Sequence, residues 1–192
     1  FLFFPLLLAA VFGWARELDI SRRWSLIAVL MVAAIPTAFH VASSGYIDLS
    51  LALYITLACY SLTRWWRTLA TGSLVMVAIF LGGALAVKLT TVFVIAAFVL
   101  VILMRAREGK DEQAGSLRSD SAGKVVLTGF AALLLAGVIA SPWYLRNWAA
   151  TGSPVFPFYM SIWPGTATGW DVERSNLFQG MNSQYGGASE NK

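Results

Sequence analysis

The sequence predicts an all-α fold: a polytopic transmembrane helix bundle with about six spans. Three observations predict it. The 192 residues are 58% hydrophobic and only 12% charged, with a mean hydropathy of +0.68, more apolar surface than a soluble chain of this size can hide. The apolar residues fall in long runs separated by polar stretches. The basic residues gather in alternate loops, as the positive-inside rule expects of a membrane protein.

Taken in order, Phe1–Ala15 is the first apolar run. No basic segment precedes it and no small-residue cleavage site ends it, which argues against a signal peptide. The chain opens inside this run, so the expectation is a fragment of a longer protein, with further spans before and after. Trp24–Ala42 is about long enough to span. The third run, residues 48–63, reaches spanning length when Asp48 begins the helix. Gly72–Met104 counts 33 residues. As one helix it would be about 50 Å long, against a hydrocarbon core of about 30 Å. Two helices, about 72–87 and 90–104, meeting near Lys88, fit better. Residues 125–141 form the sixth span. Arg105–Lys124, mixed in charge and rich in Gly and Ser, reads as a flexible cytoplasmic loop. Residues 142–192 read as an outer-face segment. No internal repeat is visible.

Orientation follows from charge. Arg16, Arg22 and Arg23 lie in the first loop, Arg64 and Arg67 in the third, and Arg105, Arg107, Lys110, Arg118 and Lys124 in the fifth. Ten of the 14 basic residues therefore fall on one side, the inner one. Trp14, Trp24, Trp65 and Trp66 then mark the inner interface, and Trp143 and Trp148 the outer. The net charge of +4 is scattered through short loops and is no nucleic-acid signal. Cys59 is the one cysteine, so no intrachain disulfide is available.

On this topology His40, Asp48, Lys88 and Arg146 come to the outer face. A charge at membrane depth costs about 3 kcal/mol near the bilayer centre, so such residues ask for a reason. Asp48 heads a helix, where it serves as an N-cap or as a carboxylate for sugar hydroxyls, a metal or an amine. Lys88 is a snorkelling anchor or a phosphate ligand. Gly82, Gly83, Ala84 and Ala86 before it let a neighbouring helix approach closely, which favours a protein-facing setting. Arg146 follows Pro142, which ends the last span or kinks its continuation. Its planar fork suits phosphate, or it anchors the interface. His40 is the lone histidine, either structural or a site residue. Trp143 and Tyr144 read as belt residues first. Gly152-Ser153-Pro154 with Phe156-Pro157-Phe158 is a turn-rich aromatic segment that could line a substrate groove. The chain has no phosphate loop, no Cys/His metal spacing and no nucleophile elbow.

These same places carry a family resemblance. Ser44-Gly45-Tyr46-Ile47-Asp48-Leu49 resembles the loop and helix start of polytopic glycosyltransferases with the GT-C fold. Gly82-Gly83-Ala84-Leu85-Ala86-Val87-Lys88-Leu89-Thr90 resembles their short Gly/Ala-rich helix ending in Lys-Thr or Lys-Tyr. Ser141-Pro142-Trp143-Tyr144-Leu145-Arg146-Asn147-Trp148 and Thr151-Gly152-Ser153-Pro154-Val155-Phe156-Pro157 resemble their Pro-Trp-Tyr-x-Arg-Asn and Thr-Gly-Asn-Pro-x-x-Pro-Phe segments. The third stretch is the most specific. The relatives are bacterial members of the dolichyl-phosphate-mannose-protein mannosyltransferase group (glycosyltransferase family 39-like), and the resemblance covers roughly residues 24–160.

The resemblance implies transfer of a sugar from a polyprenyl-phosphate donor at the outer face of the bacterial inner (plasma) membrane. The acceptor, whether glycan, lipid or protein, stays open. It implies Lys88 and Arg146 as ligands of the lipid phosphate and Asp48 as an acidic site residue and candidate catalytic group. His40, Tyr144 and Asn147 complete the candidate binding set. The family's usual catalytic acidic residue lies in a first outer loop that has no counterpart here, so this fragment alone is expected to be inactive. The partners implied are the lipid-linked donor and membrane lipids. No cofactor is expected, and metal dependence is left undecided.

Two rival functions come from other classes. A transporter for an anionic solute would place charges at mid-membrane in broken helices, often with repeats. A non-catalytic structural membrane subunit would leave Lys88 without purpose.

Overall fold

The computed structural model describes residues 2–44, 46–111, 120–159, 162–163 and 171–187. Among them are eight helices and no strand: α1 (Phe3–Glu17), α2 (Arg22–Ala33), α3 (Pro36–Ser44), α4 (Asp48–Thr68), α5 (Thr71–Val87), α6 (Thr91–Asp111), α7 (Asp120–Thr151) and α8 (Val172–Gly187). The chain is all-α, as the sequence predicts. It divides into two compact units, Phe1–Ala140 and Ser141–Lys192.

In the first unit α4 is central. Its buried residues Leu49, Leu53, Ala58, Ser61, Leu62 and Trp65 recur at helical spacing along its length. The early half packs with Leu7 and Ala10 of α1 and Ala42 of α3. The later half packs with Leu74, Val77 and Leu81 of α5, Phe98 and Ile102 of α6, and Ala132 and Ala136 of α7. Two glycines set how closely α7 approaches. A Cβ on Gly82 would stand 2.7 Å from the Ala136 carbonyl oxygen, and one on Gly129 would stand 2.6 Å from Ile102 Cγ2. Small residues drawing helices together are the usual packing device where lipid removes the hydrophobic driving force.

Several elements depart from the sequence expectation. Trp24–Ala42 is not one straight helix: α2 ends at Ala33, and α2 and α3 are bent by 63°. Pro36 is the reason, since its ring removes a backbone donor and clashes with the preceding turn. Pro142 lies inside α7, which runs on to Thr151 instead of ending there. The segment Arg105–Lys124 is largely helical at its two ends. Arg105, Arg107 and Lys110 belong to α6 and Lys124 to α7, while residues 112–119, with Arg118, lie outside the described residues. Trp65 is 1% exposed and belongs to the core, not to an interfacial belt.

By length and composition, Ala122–Thr151 is the one helix among the described residues long and apolar enough to cross a membrane. Arg22–Ala33 with Pro36–Ser43 passes the same test as a bent pair, and Thr71–Val87 is apolar but shorter. Large apolar side chains stand exposed along α7, among them Leu127, Leu134 and Val138. A lipid-facing helix presents such a surface.

In the second unit, Gly152 closes the end of α7 with φ 75°, a left-handed conformation open to glycine. The turn that follows is tied to α8 by Ser175, whose hydroxyl donates to the Pro157 carbonyl at 2.9 Å, and by the Phe158–Phe178 ring contact.

Candidate functional site

The helix ends of the first unit sort by charge. At one end, Arg67 near the close of α4 donates to the Glu17 carbonyl and pairs with the Asp19 carboxylate, and Arg16 donates to the Ile20 carbonyl at 2.5 Å. Arg105 donates to the Trp66 carbonyl at 3.2 Å and lies over the Trp66 ring at 5.7 Å. Trp14 Nε1 reaches Thr63 Oγ1 at 2.9 Å. Arg67 thus ties the end of α4 to the end of α1, and Arg105 ties the later part of α6 to α4, while Arg16 holds the turn that follows α1. The Arg67 guanidinium holds the Asp19 carboxyl below the usual aspartate range.

Asp48 and Lys88 lie where α4 begins and α5 finishes. Lys88 Nζ donates to Asp48 Oδ1 at 2.8 Å, an ion pair across 40 residues of sequence. The apolar stretch 72–104 is two helices here. α5 finishes at Val87, and Lys88 takes an extended conformation (φ −152°, ψ 128°). The break is held from both sides. Lys88 N–H donates to the Ala84 carbonyl at 3.0 Å, and Thr91 N–H donates to the Lys88 carbonyl at 3.1 Å. The Thr91 hydroxyl donates to the Ala84 carbonyl at 3.0 Å and is fully buried. It is a second donor to the carbonyl that already accepts from Lys88 N–H, and so ties the start of α6 to the last turn of α5. Thr91 is the residue the sequence reading missed; a hydroxyl side chain just after a helix break was its signal.

Asp48 is not the N-cap of α4. Ile47 holds that position, and Asp48 is the acidic residue of the first turn. There the helix dipole favours its negative charge, and its carboxylate goes to Lys88. Gly83 faces the Tyr54 ring, whose Cε1 lies 3.3 Å from where a Cβ would be, so α4 and α5 approach closely just before the pair. His40 is exposed on α3, whose Ala42 packs into the core beside Leu49.

Arg146, Tyr144 and Asn147 belong to the second unit. Arg146 is exposed, and its guanidinium lies 6.0 Å from the Trp143 ring one turn back. The Asn147 carbonyl accepts from the Thr151 hydroxyl at 2.8 Å. Tyr144 is half-buried. Ser153 stands where the relatives' motif has asparagine; it is fully buried and its hydroxyl has no hydrogen-bond partner. The structure therefore joins Asp48 to Lys88 and sets Arg146 on a separate unit. Among the described residues, no three His, Cys, Asp or Glu side chains come together as a metal-binding group.

The family model described as dolichyl-phosphate-mannose-protein mannosyltransferase matches residues 1–151. The chain belongs to that family. Asp48, Lys88 and Arg146 all lie within the matched stretch, as does the whole of α7. No curated protein and no solved structure matches the chain. Membership in the dolichyl-phosphate-mannose-protein mannosyltransferases makes glycosyl transfer by a membrane protein the activity class, and agrees with the resemblance read from the Lys88 and Arg146 motifs.

Proposed function

We propose that this chain supplies the donor-phosphate side of a membrane glycosyltransferase that moves a sugar from a polyprenyl phosphate to an acceptor hydroxyl at the outer face. The observation that carries it is the Asp48–Lys88 pair within a family-matched stretch, with Arg16 and Arg67 near the ends of α1 and α4 and Arg105 of α6 on the Trp66 carbonyl beside Arg67. By the positive-inside rule the arginines mark the cytoplasmic side, so Lys88 and Asp48 face outward. The six runs of the sequence are then six spans, with α2 and α3 together forming the second.

The chemistry asked of this site is charge stabilisation. The bond from the sugar C1 to the phosphate oxygen breaks, and its electron pair leaves on the phosphate. The acceptor oxygen bonds to C1 and gives its proton to a carboxylate base. Lys88 holds the phosphate as its charge grows, an electrostatic role for a fixed cation, and Arg146 is the second cation that the family resemblance assigns to it.

Two variants of the full-length protein test this. Lys88→Ala removes a charged hydrogen bond of about 1.5–3 kcal/mol, so donor binding and turnover should fall about tenfold to a hundredfold. Arg146→Lys should also lose activity, because a point charge does not replace a bidentate fork. The assay is polyprenyl-phosphate-sugar turnover by purified variants with wild-type melting behaviour. Unchanged turnover in both would overturn the assignment.

A further inference from the structure

We propose that Asp48 is the exchangeable counter-ion of Lys88: a lipid phosphate displaces it on binding, and its return expels the spent phosphate. The inference rests on the phosphate reading of Lys88 above. At 2.8 Å from Asp48 Oδ1, the ammonium carries its own counter-charge. Two N–H donors stay open to a phosphate, which meets the Asp48 charge there and is favoured once the carboxylate swings away.

The geometry suits exchange rather than a permanent lock. The Lys88 and Asp48 side chains are 44% and 48% exposed, so neither ion depends on the other to escape desolvation. The Lys88 backbone is pinned at the helix break by its bonds to Ala84 and Thr91. Its flexible four-carbon stem leaves the ammonium able to change partner. Asp48 sits in the first turn of α4, where the helix dipole tolerates a carboxylate that has lost its cation. Each ion is stable alone, and together they are only modestly favoured.

The charges of substrate and product give the exchange a direction. The donor is a phosphodiester with one negative charge. When the C1–O bond breaks, the electron pair stays on the phosphate, the acceptor oxygen takes C1, and the acceptor proton goes to the base. The product is a phosphate monoester, which carries roughly −1.5 to −2 at pH 7. A site built only of cations would hold that product more tightly than the donor and stall. Repulsion from Asp48 scales with phosphate charge, so it opposes the product about twice as strongly in free energy. In binding constants, the factor for the product is about the square of the factor for the donor.

The test is equilibrium binding of undecaprenyl phosphate and of undecaprenyl-phosphate mannose to the full-length protein in nanodiscs. Half-exposed ion pairs are weak, so Asp48→Asn should tighten the donor about two- to fivefold and the product about four- to 25-fold. Asp48→Glu should keep the wild-type ratio of the two constants. In a Lys88→Ala background, Asp48→Asn should still shift that ratio, because the repulsion acts on the phosphate directly, while the part of the tightening common to both ligands, which comes from freeing Lys88, should disappear. If Asp48→Asn does not fold, Asp48→Ser is scored the same way. Equal shifts of both ligands, or weaker binding of both, overturn the counter-ion and make Asp48 a structural tether. If Lys88→Ala weakens undecaprenyl phosphate while Asp48→Asn leaves the ratio unchanged, the counter-ion alone falls. If Lys88→Ala leaves undecaprenyl phosphate binding unchanged, the phosphate site falls and the counter-ion with it.

Discussion

Replacing Gly82 by alanine puts a methyl group where α5 and α7 leave none. The new Cβ would lie 2.7 Å from the Ala136 carbonyl oxygen, 2.8 Å from Ile139 Cβ and 2.9 Å from Ile139 Cγ2. Two of these atoms are fixed to the α7 backbone, so relief requires moving the helix rather than turning a side chain. Overpacking of this kind costs about 1–3 kcal/mol. Against it stands the intrinsic gain of Gly→Ala within a helix, about 1 kcal/mol. The net expectation is a loss of about 1 kcal/mol, or about 2–4 °C in melting temperature for a chain of this size. Gly137→Ala is the control. A Cβ on Gly137, also in α7, meets nothing within 4 Å, so the helix-propensity gain should appear unopposed. Thermal unfolding of both variants in one detergent reads the difference. A Gly82→Ala protein stabilised as much as Gly137→Ala would refute the close α5–α7 contact.

Two further outcomes follow from the charged ends. The folded-state pKa of Asp19 is depressed by Arg67, so its contribution is present above the ordinary aspartate value of about 4 and is lost as pH falls below that value. Wild type should therefore lose its small stability advantage over Asp19→Asn on acidification, whereas an advantage that grew toward low pH would contradict the pairing. For orientation, single cysteines at Ser43 and Ser116 in a Cys59→Ala background should label oppositely, with an impermeant thiol reagent reaching position 43 alone in cells with a permeabilised outer membrane. Labelling of position 116 would reverse the proposed topology.

The all-α class was legible in composition and run length. The helix break was legible too, because 33 apolar residues are too long for one span and Lys88 marks the place to divide them. The small residues before Lys88 announced close packing, and Gly82 and Gly83 show it against α7 and α4. What pattern did not show was set by particular side chains. Trp24–Ala42 has the hydropathy of one span, and hydropathy does not register the donor that Pro36 removes. Pro142 had two readings, an end of the last span or a point within its continuation, and the second holds: it sits within α7 without ending it, so proline alone does not fix a helix boundary. Trp65 and Trp66 are sequence neighbours, yet one fills the core and the other meets Arg105, because a 100° step along a helix divides inside from outside.

The site was legible as a list of residues but not as a set of partners. Sequence reading gave Asp48 two roles, an N-cap and a ligand, and both treated it as acting on its own helix or on substrate. The structure makes it a partner of Lys88 through a contact that spans α4 and α5, which no local pattern encodes. That pairing changes the chemical argument. A bare lysine at a lipid phosphate would grip tighter as the leaving group gains charge. A lysine that carries its own carboxylate has a competitor waiting once transfer is complete. On the proposed reading, the cation that stabilises the departing phosphate and the anion that clears it would be two halves of one ion pair. The break between α5 and α6, fixed by Thr91, is what brings that pair to a helix end instead of burying it mid-helix.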